Sequence, residues 1–150
     1  MSRQRIVFLM SDTGAGHRSA ANAIRAAMEQ RYPDRYSFEL VDVYRWYTPP
    51  PFKYLPELYP RWVNWARHSL GLGYWLADAR YRSMVVMAVL GRLWSKGLQR
   101  MLAEHPADAI VCVHALFSRP TMRALRQIGG MRPPFVTVVT DLVTAHAFWY

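Results

Sequence analysis

The chain has 150 residues, which is enough for one domain with a substantial core. Its hydrophobic fraction of 52% is high, but no stretch approaches the roughly 20 consecutive apolar residues of a membrane-spanning helix, which excludes a transmembrane protein. The formal net charge of +9 predicts an anionic partner, either nucleic acid or a membrane with acidic lipids.

The start of the chain predicts a cytoplasmic protein. Only five apolar residues, Ile6 to Met10, follow the basic N-terminus, whereas a secretory signal needs about 7 to 15. The single cysteine, Cys112, lies in an apolar run. Since it has no partner for an internal disulfide or a thiolate metal cluster, we expect a buried and inert thiol.

Apolar runs predict buried strands, and apolar residues at helical spacing predict helices. In chain order we predict a strand at 6–10, a helix from 20 to about 32, a strand at 38–43, helices at about 57–69 and 75–105, a strand at 109–113, a helix at 119–128 and a strand at 135–140. This alternation is typical of a doubly wound α/β fold with a Rossmann-like parallel sheet. No helix follows the fourth strand, so we expect an incomplete domain.

A glycine-containing turn at 11–18 follows the first strand, at the carboxyl edge of the sheet where open α/β folds bind ligands. Gly14 and Gly16, separated by Ala15, would let backbone N–H groups approach a ligand closely. Ser19 stands where the dinucleotide motif has its third glycine, and no Gly-Lys-Ser/Thr follows. The turn is therefore not a nucleotide-binding loop, and a purely structural tight turn is the alternative.

His17 lies in the first turn of the helix that follows. The positive end of the helix dipole disfavours a protonated imidazole, so a neutral His17 is suited to accept a proton. A water-exposed histidine without a chemical role is the alternative interpretation.

Two segments resemble one family of glycosyltransferases. Residues 10–21, around the glycine turn, are similar to the first loop of the monogalactosyldiacylglycerol synthase and processive diacylglycerol glucosyltransferase family. Residues 138–149 resemble the Thr-Asp-Leu and His-x-x-Trp segment of the same family. Ala15 replaces a usual third glycine and Ala145 a cysteine or small polar residue, but neither change removes a proposed chemical group.

The resemblance implies a two-domain enzyme of the GT-B architecture that inverts the sugar. In that family the N-terminal Rossmann-like domain holds the lipid acceptor and contacts the membrane, and the C-terminal domain binds the UDP-sugar. Residues 1–150 would then be an N-terminal acceptor- and membrane-binding domain, without the UDP-sugar domain and inactive alone. The implied reaction transfers a hexosyl group from a UDP-sugar to diacylglycerol, with no cofactor. A non-catalytic lipid- or membrane-binding module is the alternative.

His17 is the candidate catalytic base for this reaction, because the attacking hydroxyl must lose a proton. Asp12 or Asp141 would orient its imidazole, and we favour Asp141 because the ends of neighbouring strands converge in space. Asp12 has a helix cap as its alternative role.

The predicted acceptor-binding residues are Gly14, Ala15, Gly16, His146 and Trp149. Trp149 would pack on the glycerol or acyl region, and burial against the missing domain is its alternative role. Three histidines near strand ends, His17, His114 and His146, also resemble a metal site, but their unequal local contexts favour no bound metal.

The middle of the chain predicts contact with an anionic membrane surface. Aromatic side chains favour the headgroup level of a bilayer, and neighbouring arginines attract acidic lipids. The predicted membrane-contact residues are Tyr59, Arg61, Trp62, Trp65 and Arg67. Residues 84–90 are apolar on every side, which favours a core helix over a membrane insert. The same mixture of residues suits nucleic acid, but no recognised binding motif is present, so we expect no nucleic acid.

Overall fold

The computed structural model describes residues 3–13, 15–65, 71, 75, 79–130, 132–140 and 147–149. Its strands are β1 (Gln4–Met10), β2 (Tyr36–Asp42), β3 (Ala109–Cys112) and β4 (Phe135–Thr137). Its helices are α1 (Ala15–Arg31), α2 (Val43–Tyr47), α3 (Leu55–Trp65), α4 (Arg80–Leu93), α5 (Ser95–Glu104) and α6 (Ala115–Gln127), and a single 3-10 turn at Phe52–Tyr54 precedes α3.

The four strands form one parallel sheet in the order β2-β1-β3-β4. The central strand β1 is buried on both faces, which explains its continuous apolar sequence. Val7 and Leu9 belong to a core cluster with residues of α5 and α6, whereas Phe8 belongs to the cluster that includes Ala21 of α1. The sheet confirms the predicted α/β, Rossmann-like fold.

Three helices begin at one edge of the sheet. Because the strands are parallel, the carboxyl ends of β1, β2 and β3 meet there, and α1, α2 and α6 follow these ends within a few residues. Helix N-termini favour anionic or hydrogen-bond-accepting groups, so this edge is where the fold offers a ligand site.

The short helix α2 is not predicted from the sequence, which reads as strand through Val43. Asp42 ends β2 and caps α2, because its side chain accepts the backbone N–H of Arg45 at 3.1 Å. The same carboxylate accepts the backbone N–H of Asp12 at 3.2 Å. Burial raises the pKa of Asp42, and these two backbone hydrogen bonds oppose that rise.

The predicted helix at 75–105 contains a break at Trp94. Residues of α4 end at Leu93, Trp94 connects the two helices, and α5 begins at Ser95. The Trp94 side chain is fully buried and contacts the rings of Tyr44 and Phe117. Burial of this large ring fixes the point at which the chain turns. The spacing of apolar residues in the sequence does not reveal this break.

Residues 84–90 are not a core helix, contrary to the sequence-based prediction. Met84, Val85 and Val89 of α4 are each about half exposed, while the buried positions are Ser83, Met87 and Gly91. Helix α4 packs on α6 through this small face, because Gly91 lies against Pro120 and Arg123. Continuous hydrophobicity does not reveal which face of a helix will pack.

Cys112 is fully buried at the end of β3, as predicted. Burial raises the pKa of its thiol to about 11, so the thiol stays protonated and unreactive at neutral pH.

A charged network joins β1, β2 and α5 on the side of the sheet away from α1. Arg5 donates to Glu39 at 2.5 Å, and Nδ1 of His105 lies 2.7 Å from the other oxygen of Glu39. The Tyr47 hydroxyl donates to Glu104 at 2.7 Å and lies 2.7 Å from Nε2 of His105. The network therefore fastens α2 to the end of α5.

Glu39 is expected to make the fold sensitive to acid. Burial alone would raise the pKa of this carboxyl, but the Arg5 hydrogen bond and the charge of His105 lower it below its ordinary value of 4.5. The resulting stabilisation is complete above the unfolded-state pKa and is lost as the pH falls through the lower folded-state pKa. In urea unfolding, Glu39→Gln should therefore destabilise the protein at about pH 6 and much less at about pH 3.

The matched control for Glu39→Gln is Glu29→Gln on α1. The Glu29 side chain is 56% exposed, and its Arg25 partner lies 3.9 Å away, so this change should have little effect at either pH. Equal destabilisation by Glu39→Gln at both pH values would show that the charge of Glu39 is not what stabilises the network.

Candidate functional site

His17 lies at the ligand edge of the sheet, and the structure fixes its imidazole. Its Nδ1 lies 2.8 Å from the backbone oxygen of Val113, immediately after β3. A carbonyl oxygen only accepts, so in the neutral ring Nδ1 carries the proton and Nε2 is the unprotonated, basic nitrogen. Val113 is itself held beside β1, since its N–H donates to the Leu9 carbonyl at 3.0 Å.

The His114 ring lies beside that of His17, with ring centroids 4.3 Å apart and the ring planes tilted by 40°. Burial lowers the pKa of His114 well below its ordinary value, and the neighbouring His17 lowers it further. The neutral ring accepts the backbone N–H of Leu116 at 3.3 Å and so caps α6. His114 is therefore a neutral structural neighbour that keeps charge away from one side of His17.

Asp12 does not serve as the carboxylate partner of His17 in this arrangement. Its two oxygens accept from Nε and Nη2 of Arg18 at 2.6 and 2.8 Å, and this pair lowers the pKa of Asp12. The Ser11 hydroxyl accepts the Thr13 N–H at 3.0 Å. These bonds shape the turn before α1. Asp141, the favoured partner, lies outside the described residues.

Two cavities meet at His17. The first, which we name the inner cavity, has a volume of about 480 Å³ and is lined by Thr13, His17, Tyr44, Phe52, Leu55, Tyr59, Trp62, Val86, Leu90, Trp94, His114, Leu116 and Phe148. The second, the helix-start cavity, has about 550 Å³ and is lined by Thr13, Gly16, His17, Ala20, Ala23, Ile24, Tyr59, Val138, Val139 and Thr140. His17 therefore faces an apolar chamber on one side and the start of α1 on the other.

The other predicted site residues are only partly brought together. Gly16 is exposed and lines the helix-start cavity, whereas Gly14 and His146 lie outside the described residues. Ala15 begins α1. Trp149 is 95% buried, and it is Phe148 that contributes to the inner cavity.

Several cavity residues escape sequence reasoning. Tyr44 and Phe52 carry no recognisable motif. Thr140 belongs to the Thr-Asp-Leu segment but is not among the predicted site residues, and its Oγ1 comes within 3.4 Å of Nδ1 of His17 from a distant part of the chain. A signal was available for Tyr44 and Phe52, because they belong to the aromatic cluster of the middle section. Their place around His17 depends on the tertiary fold.

The predicted membrane-contact residues lie mostly on α3. Trp65 is 95% exposed and Trp62 is 39% exposed. Arg61 lines, with Leu55, Leu58, Trp62, Asn64 and Trp65, an apolar groove of about 840 Å³ that we name the outer groove. Tyr59 faces the other way, into both cavities at His17, and Arg67 lies outside the described residues.

No helix in the described part of the chain is both long and apolar enough to span a bilayer. Within the same residues, no three side chains of the types that bind metals are grouped so as to hold an ion.

Comparisons with known proteins show the family of the chain. The sequence model of the family described as monogalactosyldiacylglycerol (MGDG) synthase matches residues 17–150. Monogalactosyldiacylglycerol synthase 1 of Arabidopsis thaliana is 33% identical over 150 residues, which cover 98% of this chain and 28% of that protein. The Spinacia oleracea synthase is 33% identical over 157 residues, covering 99% and 28%, and synthase 2 of Arabidopsis thaliana is 30% identical over 148 residues, covering 98% and 31%.

The fold and the site define an α/β domain of Rossmann-like topology with a tethered histidine at the ligand edge of its sheet. The chain belongs to the monogalactosyldiacylglycerol synthase family. It spans about three tenths of the length of the curated relatives it matches.

Proposed function

We propose that this chain is the acceptor side of an enzyme of GT-B architecture that transfers a hexosyl group from a UDP-sugar to diacylglycerol with inversion. One observation carries the proposal: the imidazole of His17, whose Nδ1 is tethered to the Val113 carbonyl, lines an apolar cavity at the ligand edge of the sheet. The names of the relatives supply the lipid, since each is called a monogalactosyldiacylglycerol synthase.

The proposed chemistry assigns one step to His17. As the acceptor hydroxyl oxygen bonds to the anomeric carbon, its proton passes to Nε2 of His17, and the bond to UDP breaks with its electron pair leaving on UDP. The Val113 carbonyl then stabilises the imidazolium, because it already accepts the Nδ1 proton at 2.8 Å. It performs the orienting role that a carboxylate has in a catalytic triad. Asp141 stays the carboxylate partner predicted from the sequence.

The two cavities suggest where each substrate lies. The inner cavity is almost entirely apolar and suits the lipid, whereas the helix-start cavity includes Gly16 and the first turn of α1, which favours negative charge. A sugar nucleotide held mainly by a second domain would present its anomeric carbon from that side. His17 lines both cavities and so lies where the two substrates would meet.

The test is sugar transfer by the complete gene product. Supplied with diacylglycerol and either UDP-galactose or UDP-glucose, it should form a glycosyldiacylglycerol whose anomeric configuration is opposite to that of the donor. Diacylglycerol binding without any transfer would instead establish the non-catalytic lipid-binding module. Absence of both would remove the proposed function.

We further propose that the protein works at an anionic membrane surface, at the cytoplasmic face. The charge of +9 is complementary to acidic lipids, and α3 presents Trp65 at 95% exposure beside Arg61. A helix with exposed aromatic and basic side chains binds at the bilayer interface in proportion to the apolar area it buries there.

Joint replacement of Trp62 and Trp65 by alanine should weaken sedimentation with anionic vesicles several-fold, because two aromatic rings no longer enter the headgroup layer. The control is Tyr32→Ala, which removes a 43%-exposed aromatic residue that follows α1, at the opposite edge of the sheet. Equal sedimentation of the α3 variant, the control and the wild type would exclude α3 from the membrane contact.

A further inference from the structure

We propose that the inner cavity holds one acyl chain of the lipid acceptor and that Val86 and Leu90 of α4 set the length of chain it accepts. This inference rests on the proposed function. It adds the place where the acyl chain binds, which we name the acyl seat, and the residues that select the length of the chain.

The inner cavity has one polar end and one apolar end. Of its polar side chains, Thr13, His17 and His114 gather at the edge of the sheet, where the two imidazole rings lie 4.3 Å apart. Away from that edge the lining is apolar and includes Phe52 and Trp94, whose rings lie 5.3 Å apart. A ligand with a hydroxyl at one end and a hydrocarbon chain behind it matches this distribution.

The size of the cavity also fits a substantial ligand. About 480 Å³ lies within the range of about 300–1,000 Å³ that is usual for small-molecule sites. No Lys, Arg, Asp or Glu is among its described lining residues, so a charged headgroup would be buried there without a partner. Hydrocarbon is the occupant that the lining favours.

Helix α4 divides its side chains among three surroundings. Met87 and Gly91 are buried on the face toward α6, and Val85 and Val89 are 47% and 58% exposed on the outer face. Val86 and Leu90 lie between these faces and are partly buried in the wall of the inner cavity. They are four residues apart, one above the other on the helix, so their side chains form a continuous strip along the cavity.

This arrangement explains the apolar side chains of Val86 and Leu90 within the apolar stretch 84–90. The exposed Val85 and Val89 do not contribute to the core. Val86 and Leu90 line the cavity, where branched apolar side chains would contact a hydrocarbon ligand. A larger residue at Val86 would shorten the cavity, and a smaller one would lengthen it.

The experiment compares binding of dioctanoylglycerol, dilauroylglycerol and dipalmitoylglycerol by the wild-type chain and by variants, measured by native mass spectrometry in detergent. Val86→Trp should weaken dipalmitoylglycerol binding by at least about tenfold and change dioctanoylglycerol binding much less, because only the longer chain reaches the filled space. Val86→Ala should shift the preference toward the longer chains. Val85→Trp is the matched control, since it adds the same ring to the exposed face one residue away, and it should bind all three lipids as the wild type does.

A second measurement covers the case in which Val86→Trp fails to fold. Wild-type chain is photolabelled with a diacylglycerol that carries a diazirine near the end of one acyl chain, and the labelled peptides are sequenced. Label on α4 at Val86 or Leu90 supports the acyl seat, and label confined to the outer groove at Leu58 or Trp65 overturns it. If the Val86 variants bind all three lipids as the wild type does, with the same preference for chain length, the acyl seat is also overturned. Diacylglycerol would still be the acceptor in that case. Failure of the wild type to bind any diacylglycerol removes both proposals.

Discussion

Replacement of His17 by glutamine is expected to lower kcat for sugar transfer by about 100- to 10,000-fold, the usual contribution of a general base. Glutamine keeps a donor that can reach the Val113 carbonyl, now 2.8 Å from Nδ1, but it cannot take a proton at neutral pH. KM for diacylglycerol should change little, because the apolar lining of the inner cavity stays in place.

The matched control is Ser19→Ala, an exposed position on the same first turns of α1. It should leave kcat unchanged and thus separate the imidazole from the stability of the helix. A His17→Gln enzyme with normal kcat, or one that loses only acceptor affinity, would assign His17 to binding and leave the base to be found elsewhere.

Gly97→Ala is expected to destabilise the fold by about 2 kcal/mol or more, which for a chain of this size lowers the melting temperature by several degrees. A Cβ at Gly97 of α5 would lie 1.9 Å from the backbone oxygen of Tyr47 and 2.8 Å from its carbonyl carbon. Alanine favours a helix by about 1 kcal/mol over glycine, but a clash with backbone outweighs this gain. Tyr47 has little room to retreat, because its hydroxyl is bonded to Glu104 and lies beside His105.

Gly91→Ala provides the comparison within the neighbouring helix. Its Cβ would meet Arg123 Cδ at 3.7 Å and Pro120 Cα at 3.9 Å, which are ordinary contacts. This change should be neutral or stabilising by up to about 1 kcal/mol, since only helix propensity is affected. The melting temperatures of both variants test this prediction. Equal melting temperatures would mean that α5 moves away from α2 without loss of stability.

The strands and their order in the chain could be predicted from the sequence. Strands β1 and β3 are largely buried and so are continuously apolar, and the partly buried β2 still alternates in part. The ends of the helices could be predicted less well. Asp42 and His114 cap α2 and α6 with their side chains, and neither cap follows from hydrophobic spacing alone. The packing face of α4 could not be predicted either, because it depends on the close approach of Gly91 to α6.

The candidate site divides in the same way. His17 and its turn are contiguous in sequence, so their place at the sheet edge follows from the β1-α1 connection. The hydrogen bond from Nδ1 of His17 to Val113 could not be predicted, because Val113 lies 96 residues later in the chain. It contributes only a backbone oxygen, which any residue would supply. Asp12 could be recognised as a polar residue of the turn, but its choice of Arg18 over His17 depends on side-chain geometry.

Leu55 and Trp62 of α3 line both the inner cavity and the outer groove. The inner cavity and the outer groove are thus separated by the thickness of one helix. A lipid lying in a bilayer against α3 would be a single side-chain layer from His17, and its acyl chain would stay in an apolar environment for the whole transfer. Under the proposed function, lipid would then pass between the membrane and the enzyme by sideways movement, and its acyl chain would not cross water.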